Sequence, residues 1–370
     1  VGGIATTVIP ALWAATHGIS SDFRDHNQNA ADPAMRLTHP LYEWSVRALH
    51  SVAPWSDFDT DGFMVAAVAT LLLAYVVLGS LREASGRLRP TMTLALVLAH
   101  PLALYLKDDG NYYFGYLPPN TIHNPTLILC KPFALMLFLW GARVLETKRS
   151  TKISQRTVLL GGILTLLTDM AKPNFILCFL PALAVAAAYL RLWRGRWSQL
   201  WTLALGTALP AIAAMAWEYF TLYGTEAGAG DGIQFAPLAL MHIHSQHIPE
   251  KLLLSIAFPL VVYALDWRQA VKNFELNFAW LVYGSALAFV YLFAESGPRF
   301  LHGNFLWTGQ VAALVLYVAS ARFWIRRGEP RHGHLVAAAV LAAHAAYGLG
   351  YLWDYSHGAK EVTYNGAARL

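Results

Sequence analysis

Charge is scarce in this chain. Of its 370 residues only 13% are Asp, Glu, Lys or Arg, and 56% are apolar; soluble domains carry about 25% charged residues. So few charges could not cover the surface of a soluble fold this long, which excludes the two or three ordinary domains the length could otherwise hold. Cysteine is scarcer still. Cys130 and Cys178 are the whole complement, and both lie inside apolar runs, so neither a disulfide framework nor a four-thiolate metal site can be built. No low-complexity tract, no internal repeat of the transporter kind and no separate soluble domain is visible. A cleavable signal is not visible either; the chain opens with Val1 inside an apolar run, and a short preceding leader is expected.

What the sequence has instead is apolar stretches of near-helix length, with a mean hydropathy of +0.41. A hydrocarbon core of about 30 Å asks for roughly 20 such residues per crossing. Runs that approach this lie at 1–18, 62–81, 90–107, 126–145, 157–171, 175–192, 198–221, 251–267, 274–295, 304–325 and 334–353. They predict an all-α, polytopic transmembrane bundle of eleven spans, a single integral-membrane domain over residues 1–370. The fifth and sixth runs are separated only by Lys172-Pro173-Asn174, and read either as a tight hairpin or as one broken helix.

Basic residues set the expected orientation. They collect at Arg82–Arg89, Arg143–Arg156, Arg191–Arg196, Arg268–Lys272 and Arg322–Arg331, all in or beside short connections, where positive charge marks the cytoplasmic side. The net charge of +5 thus follows from membrane topology and needs no nucleic-acid partner. Acids such as Asp22, Asp25, Asp57, Asp108, Asp109, Glu250 and Glu295 gather on the other side. The expected protein is multi-pass with a cytoplasmic N-terminus. Its longer connections, including a first external loop at 19–61, face the exterior, where a site is usually built. Within that loop His39–His50 reads as a short amphipathic helix on the outer membrane surface.

The densest chemical signal is Ser21-Asp22-Phe23-Arg24-Asp25-His26-Asn27-Gln28-Asn29. On a helix, Asp22 and His26 share a face, and Asp25 with Asn29 forms a second pair. A carboxylate beside an imidazole at the mouth of an apolar cavity suits a general base or a metal ligand. The bland alternative is that Asp22 only caps a surface helix.

An aspartate just outside the first helix, then an amphipathic helix opening at His39-Pro40-Leu41-Tyr42, then a second loop with Asp108-Asp109, resembles the GT-C superfamily of integral-membrane glycosyltransferases. The likeness covers the overall arrangement and roughly the first 125 residues. It implies inverting transfer of a sugar from a polyprenyl-phosphate donor, a lipid-linked sugar, to an acceptor hydroxyl at the extracytoplasmic face. In that scheme Asp22 is the base and Asp25 the runner-up. A divalent ion between Asp22 or Asp109 and a lipid phosphate is used by some members and not by others.

A departing phosphate needs fixed cations, and Lys131, Lys172, Arg299 and His302 are the candidates. Lys131 lies inside an apolar run beside Pro132, which is expected to break the helix locally. It either snorkels to headgroups or meets an anion. Lys172-Pro173 repeats the pairing. Arg299 stands four residues after Glu295, close to His302, Asn304 and Trp307; headgroup anchoring is the alternative there. His242, His244 and His247 have metal-like density but no recognised zinc spacing. The loop from Asp108 to Asn120 combines acids, amides and aromatics and is a substrate-loop candidate. Glu218 and His344 are isolated ionisable groups inside spans.

Three other readings compete. A transporter or flippase of a lipid-linked or anionic substrate would show repeats and several mid-membrane charges. An outer-leaflet polymerase or ligase would show paired external arginines, and an acyltransferase a buried histidine. A purely structural subunit would tolerate changing Asp22 and Asp25 together.

Overall fold

A computed structural model of the chain describes residues 2–35, 37, 39–103, 115–148, 151–223, 232–327 and 332–357. Helix α1 (Gly2–Ala14) runs into a π-helical turn, Ala15–Ile19, that bends at Gly18 with φ +135°, a conformation glycine adopts freely and other residues resist. There follow α2 (Ser21–Ala31), α3 (Leu41–Val52), α4 (Phe58–Ser80) and α5 (Leu88–Leu98). The middle of the chain forms α6 (Pro125–Glu146), α7 (Gln155–Ala171) and α8 (Asn174–Tyr189). Next come α9 (Trp197–Leu203) and α10 (Leu209–Tyr223), joined by one π-helical turn. Four short helices, α11 (Ala239–His244), α12 (Ile248–Ser255), α13 (Ala257–Leu265) and α14 (Trp267–Ala270), lead to α15 (Phe274–Leu292). The last two are α16 (Leu306–Arg326) and α17 (His332–Ser356). Polar side chains start several of these: Ser20, Asp57, Asn124, Ser154 and Asn273 each accept a backbone N–H three residues on, satisfying donors the first turn leaves open.

Six helices among the described residues are long and apolar enough to cross a membrane. They are α4, α6, the joined α9–α10, α15, α16 with the turn before it, and α17; α12 and α13, bent by 67°, make a seventh if counted as one span. The remaining apolar runs fold into shorter pieces. α1 with 13 residues and α5 with 11 reach only about 20 and 16 Å at 1.5 Å per residue. The physical reason lies in the chain: the run at 90–107 leaves the helix at Ala99 (ψ 129°), just before His100-Pro101, and the residue ahead of a proline avoids helical geometry. Where the sequence predicts the amphipathic segment 39–50, residues Leu41–Val52 form α3, with Tyr42, Glu43 and Val46 buried and Trp44 exposed.

The core is centred on α16, in which every residue from Leu306 to Phe323 is buried. α6 and α7 approach closely because Gly161 leaves room for the Trp140 indole, which donates to the Thr157 carbonyl at 3.0 Å. At one end of the bundle Arg322 holds Glu275 at 2.5 Å and the Ser80 carbonyl, and Arg326 reaches Glu83 and Glu275. These bonds tie α4, α15 and α16 together. Residue patterning gave no hint of a small antiparallel ribbon, β1 (Ile233–Phe235) with β2 (Phe293–Glu295), in which Ile233 faces Glu295 and Phe235 faces Phe293.

Candidate functional site

The start of α2 is tied to the segment before α6. The Ser20 hydroxyl caps α2 and donates to the His123 carbonyl at 2.7 Å. One residue on, Asn124 begins α6 through its Oδ1, and its Nδ2 donates to Asp22 Oδ2 at 2.6 Å. His123 Nε2 lies 3.4 Å from Asp22 Oδ1. Burial alone would raise the Asp22 carboxyl; the His123 imidazole, hydrogen bonds from His123 and Asn124, and the nearby His26 outweigh it and hold the group well below the usual carboxylate range. Asp22 is therefore ionised near neutral pH.

One turn along α2, His26 Nδ1 meets Glu43 Oε1 of α3 at 2.5 Å. The second Glu43 oxygen is buried and has no hydrogen-bond partner among the described residues. The His26 ring also lies against Tyr42 and is 6.2 Å from the ring of His39. Below this pair, Tyr42 donates to Asn27 and Asn27 to Asp59, both at 2.8 Å, so α2, α3 and α4 hold one another in register.

Cations enter from the other half of the molecule. Lys172 has left helical geometry (φ −170°, ψ 122°), which Pro173 behind it enforces. Its buried ammonium donates to Thr126 Oγ1 at 3.2 Å, lies 5.7 Å over the Trp307 ring and feels the charges of Asp22, Glu43 and Glu295. Trp307 in turn stacks on His123 with centroids 6.0 Å apart. Arg299 pairs with Glu295 at 2.9 Å, and Asn304 donates to the other Glu295 oxygen at 2.6 Å. Asn174, two residues beyond Lys172, bonds the Asn304 carbonyl and Thr308, which locks the α7–α8 elbow to the start of α16. His39 reports the convergence: burial, then Lys172, His26 and Arg299, depress its protonation well below the ordinary histidine value. Asp22, Glu43 and Glu295 thus act electrostatically on Lys172, and Lys172, Arg299 and His26 on His39, so these groups stand on one side of the bundle within electrostatic range of one another.

Other residues singled out from sequence stand elsewhere. Asp25 is exposed on α2, where Asp22 and His26 are half-buried. His302 is exposed at the end of the turn that follows Arg299. Pro132 does not break its helix: α6 runs through it from Pro125 to Glu146. Lys131 faces a different cavity, shared with His100 and Tyr351. The face of α6 toward the elbow is that of Thr126 and Cys130, and one residue further is about 100° around the helix. Asp108 and Asp109 lie outside the described residues. Among the described residues no three His, Cys, Asp or Glu side chains stand together as a metal ion would require; His242 and His247 are exposed, and His244 is buried, where burial and then Lys251 hold its pKa down to about 4.

Three contributors were not assigned a role from sequence. His123 and Asn124 precede Pro125, and an Asn followed by Pro is a helix-start signal that could have located the anchor of Asp22. Glu43 reads as one polar residue of an amphipathic helix and reveals its imidazole partner only in three dimensions. Two further carboxylates, Asp169 of α7 and Glu218 of α10, are buried near Lys172, and neither Asp169 oxygen has a hydrogen-bond partner among the described residues.

Together these groups offer an ionised carboxylate beside the His123 imidazole, with the Lys172 cation over the Trp307 ring that stacks on the same histidine. Such a set can orient a hydroxyl, accept its proton and hold an oxyanion. No protein-family model, no curated protein and no solved structure matches the chain.

Proposed function

We propose that this protein is an integral-membrane glycosyltransferase of GT-C-like arrangement, moving a sugar from a polyprenyl-phosphate donor to an acceptor hydroxyl at the extracytoplasmic face. The supporting observation is that Asp22 acts on Lys172, and Lys172 and Arg299 both act on His39, although these groups come from distant parts of the chain. In the proposed reaction the acceptor hydroxyl donates a hydrogen bond to Asp22. As the new bond from its oxygen to the anomeric carbon forms, the bond from that carbon to the phosphate oxygen breaks. The proton moves to Asp22, with His26 and His123 beside it to stabilise or relay it. The phosphate leaves with the electron pair of the broken bond, against Lys172 and Arg299. Trp307 offers a face for stacking a sugar ring. No metal-dependent step is needed for this balance.

In the same reading the Arg322–Arg326 end of the bundle is cytoplasmic, with the N-terminus, and α3 lies in the outer membrane interface. On this reading α1 with its π-turn, α5 with the extended residues after it, α7, α8 and the α12–α13 pair supply five crossings beyond the six long ones. The direct test is sugar transfer from a polyprenyl-phosphate donor by purified protein. Asp22→Asn should abolish transfer without changing the unfolding temperature by more than a few degrees; full activity in that variant would overturn the assignment.

One observation favours a second reading. Asp169 and Glu218 are buried carboxylates in or beside spanning helices, close to Lys172, and intramembrane acids mark ion and proton paths in transporters. A transporter or flippase of an anionic lipid-linked substrate would lose flux in Asp169→Asn reconstituted in liposomes and would show no sugar transfer in the wild type.

A further inference from the structure

A cavity of about 480 Å³, counting its mouth, lies between α1, α4, α5, α6 and α17, on the side of α6 turned away from the elbow at Lys172. Its walls are largely apolar, with Leu73, Val97 and Leu352 among them. The exceptions sit together. Lys131 is only 2% exposed; its ammonium makes one long hydrogen bond, 3.4 Å, to the Thr121 carbonyl, and no carboxylate lies within ion-pair distance of it among the described residues. His100 is equally buried, its ring stacks on Tyr351 at 4.5 Å, and its Nε2 has no hydrogen-bond partner among the described residues.

A buried cation without a counter-charge and a buried ring nitrogen without a partner are both costly. Among the described residues both border the same mostly apolar space. We infer that this cavity is a second binding site, which takes an oxyanion carried on an apolar chain: the carboxylate or phosphate head rests on Lys131 with His100 donating from Nε2, and the chain lies along Leu73, Val97 and Leu352. The site is separate from the Asp22–Lys172 cluster and does not rest on the transferase reading. Neighbouring positions on α6 divide the two: Cys130 contacts the Lys172 carbonyl, and Lys131 points into the cavity.

The experiment uses the full chain in nanodiscs of dioleoylphosphatidylcholine, titrated with the fluorescent fatty acid cis-parinarate. Saturable binding is expected, weakened about tenfold or more in Lys131→Met, as loss of a charge-assisted hydrogen bond implies, and weakened in His100→Phe, which keeps the stack on Tyr351. Lys172→Met should bind as the wild type does. Displacement by oleate identifies a carboxylate amphiphile, by dioleoylphosphatidic acid a phosphate lipid, and by sodium phosphate alone a site that reads only the head; all three agree with an oxyanion site. Unsaturable partitioning, equal affinity in Lys131→Met, or a loss confined to Lys172→Met would overturn the proposal. If Lys131→Met does not fold, His100→Phe decides by the same criteria.

Discussion

Asn124 holds Asp22 through a 2.6 Å hydrogen bond from Nδ2, and its Oδ1 accepts the Leu127 N–H at 2.9 Å. One amide therefore starts α6 and fixes a carboxylate 102 residues earlier in the chain. The two duties separate by a single atom. Asn124→Asp keeps the capping oxygen, removes the donor and sets a like charge beside Asp22. It is expected to unfold within about 1 kcal/mol of the wild type, because the cap survives, and to lose most sugar transfer. Asn124→Ala should lose roughly 0.5–2 kcal/mol as well. Thermal unfolding and transfer, measured on both variants, check the pair; intact transfer in Asn124→Asp would contradict it.

Asp22 and Asp25 are three residues apart and differ in surroundings. Asp22→Asn should lower kcat by about 10²–10⁴-fold, the usual worth of a positioned proton acceptor. Asp25→Asn, on the exposed side of α2, should stay within about twofold, since surface changes away from a site are nearly neutral. Comparable losses in both would show that the face of α2 has been misassigned.

Acid should destabilise the protein through His39. Burial, Lys172, His26 and Arg299 hold its imidazole below the ordinary value of 6.5, so the unfolded chain binds a proton near that pH which the folded chain refuses. Stability is then whole above about 6.5 and declines as pH falls below it. Unfolding temperature measured from pH 7 to 5 should drop, and His39→Gln should flatten the slope. Asp22 acts in the same direction in a lower window: its carboxyl is held below the ordinary 3.8, so its contribution is present above that pH and is lost only in stronger acid. Asp22→Asn should leave the slope between pH 7 and 5 unchanged.

Gly62 faces the bond between Tyr42 and Asn27. A β-carbon there would overlap both the tyrosine hydroxyl and the Asn27 side-chain oxygen, so Gly62→Ala should cost about 1–3 kcal/mol, as overpacking does. Adding Tyr42→Phe removes one colliding atom and should restore part of the loss. Chemical denaturation of the single and double variants measures this; no recovery would place the strain elsewhere.

Much of this arrangement is legible in residue type and spacing. Apolar runs announce the bundle, Glu295 and Arg299 are four apart and do pair, and Asp22 with His26 shares a helix face. Direction around a buried helix is harder to read. Lys131-Pro132 and Lys172-Pro173 are the same dipeptide, yet Pro132 sits inside a continuous helix and Pro173 follows a residue that has already left one. The first lysine consequently turns to His100 and the second to Trp307. Run length alone also overstates the spans, because Ala99-His100-Pro101 ends α5 within an apolar stretch. Bonds such as His26–Glu43 depend on tertiary packing, which no local pattern encodes.

Glu295 ends the strand pair opposite Ile233 and also receives Arg299 and Asn304. The ribbon thereby acts as a clasp: it closes a long excursion of chain and sets the guanidinium from its fastened end. Because that excursion is built of α11 to α15, the clasp joins the two ends of a helical block and keeps the Arg299 cation where it stands.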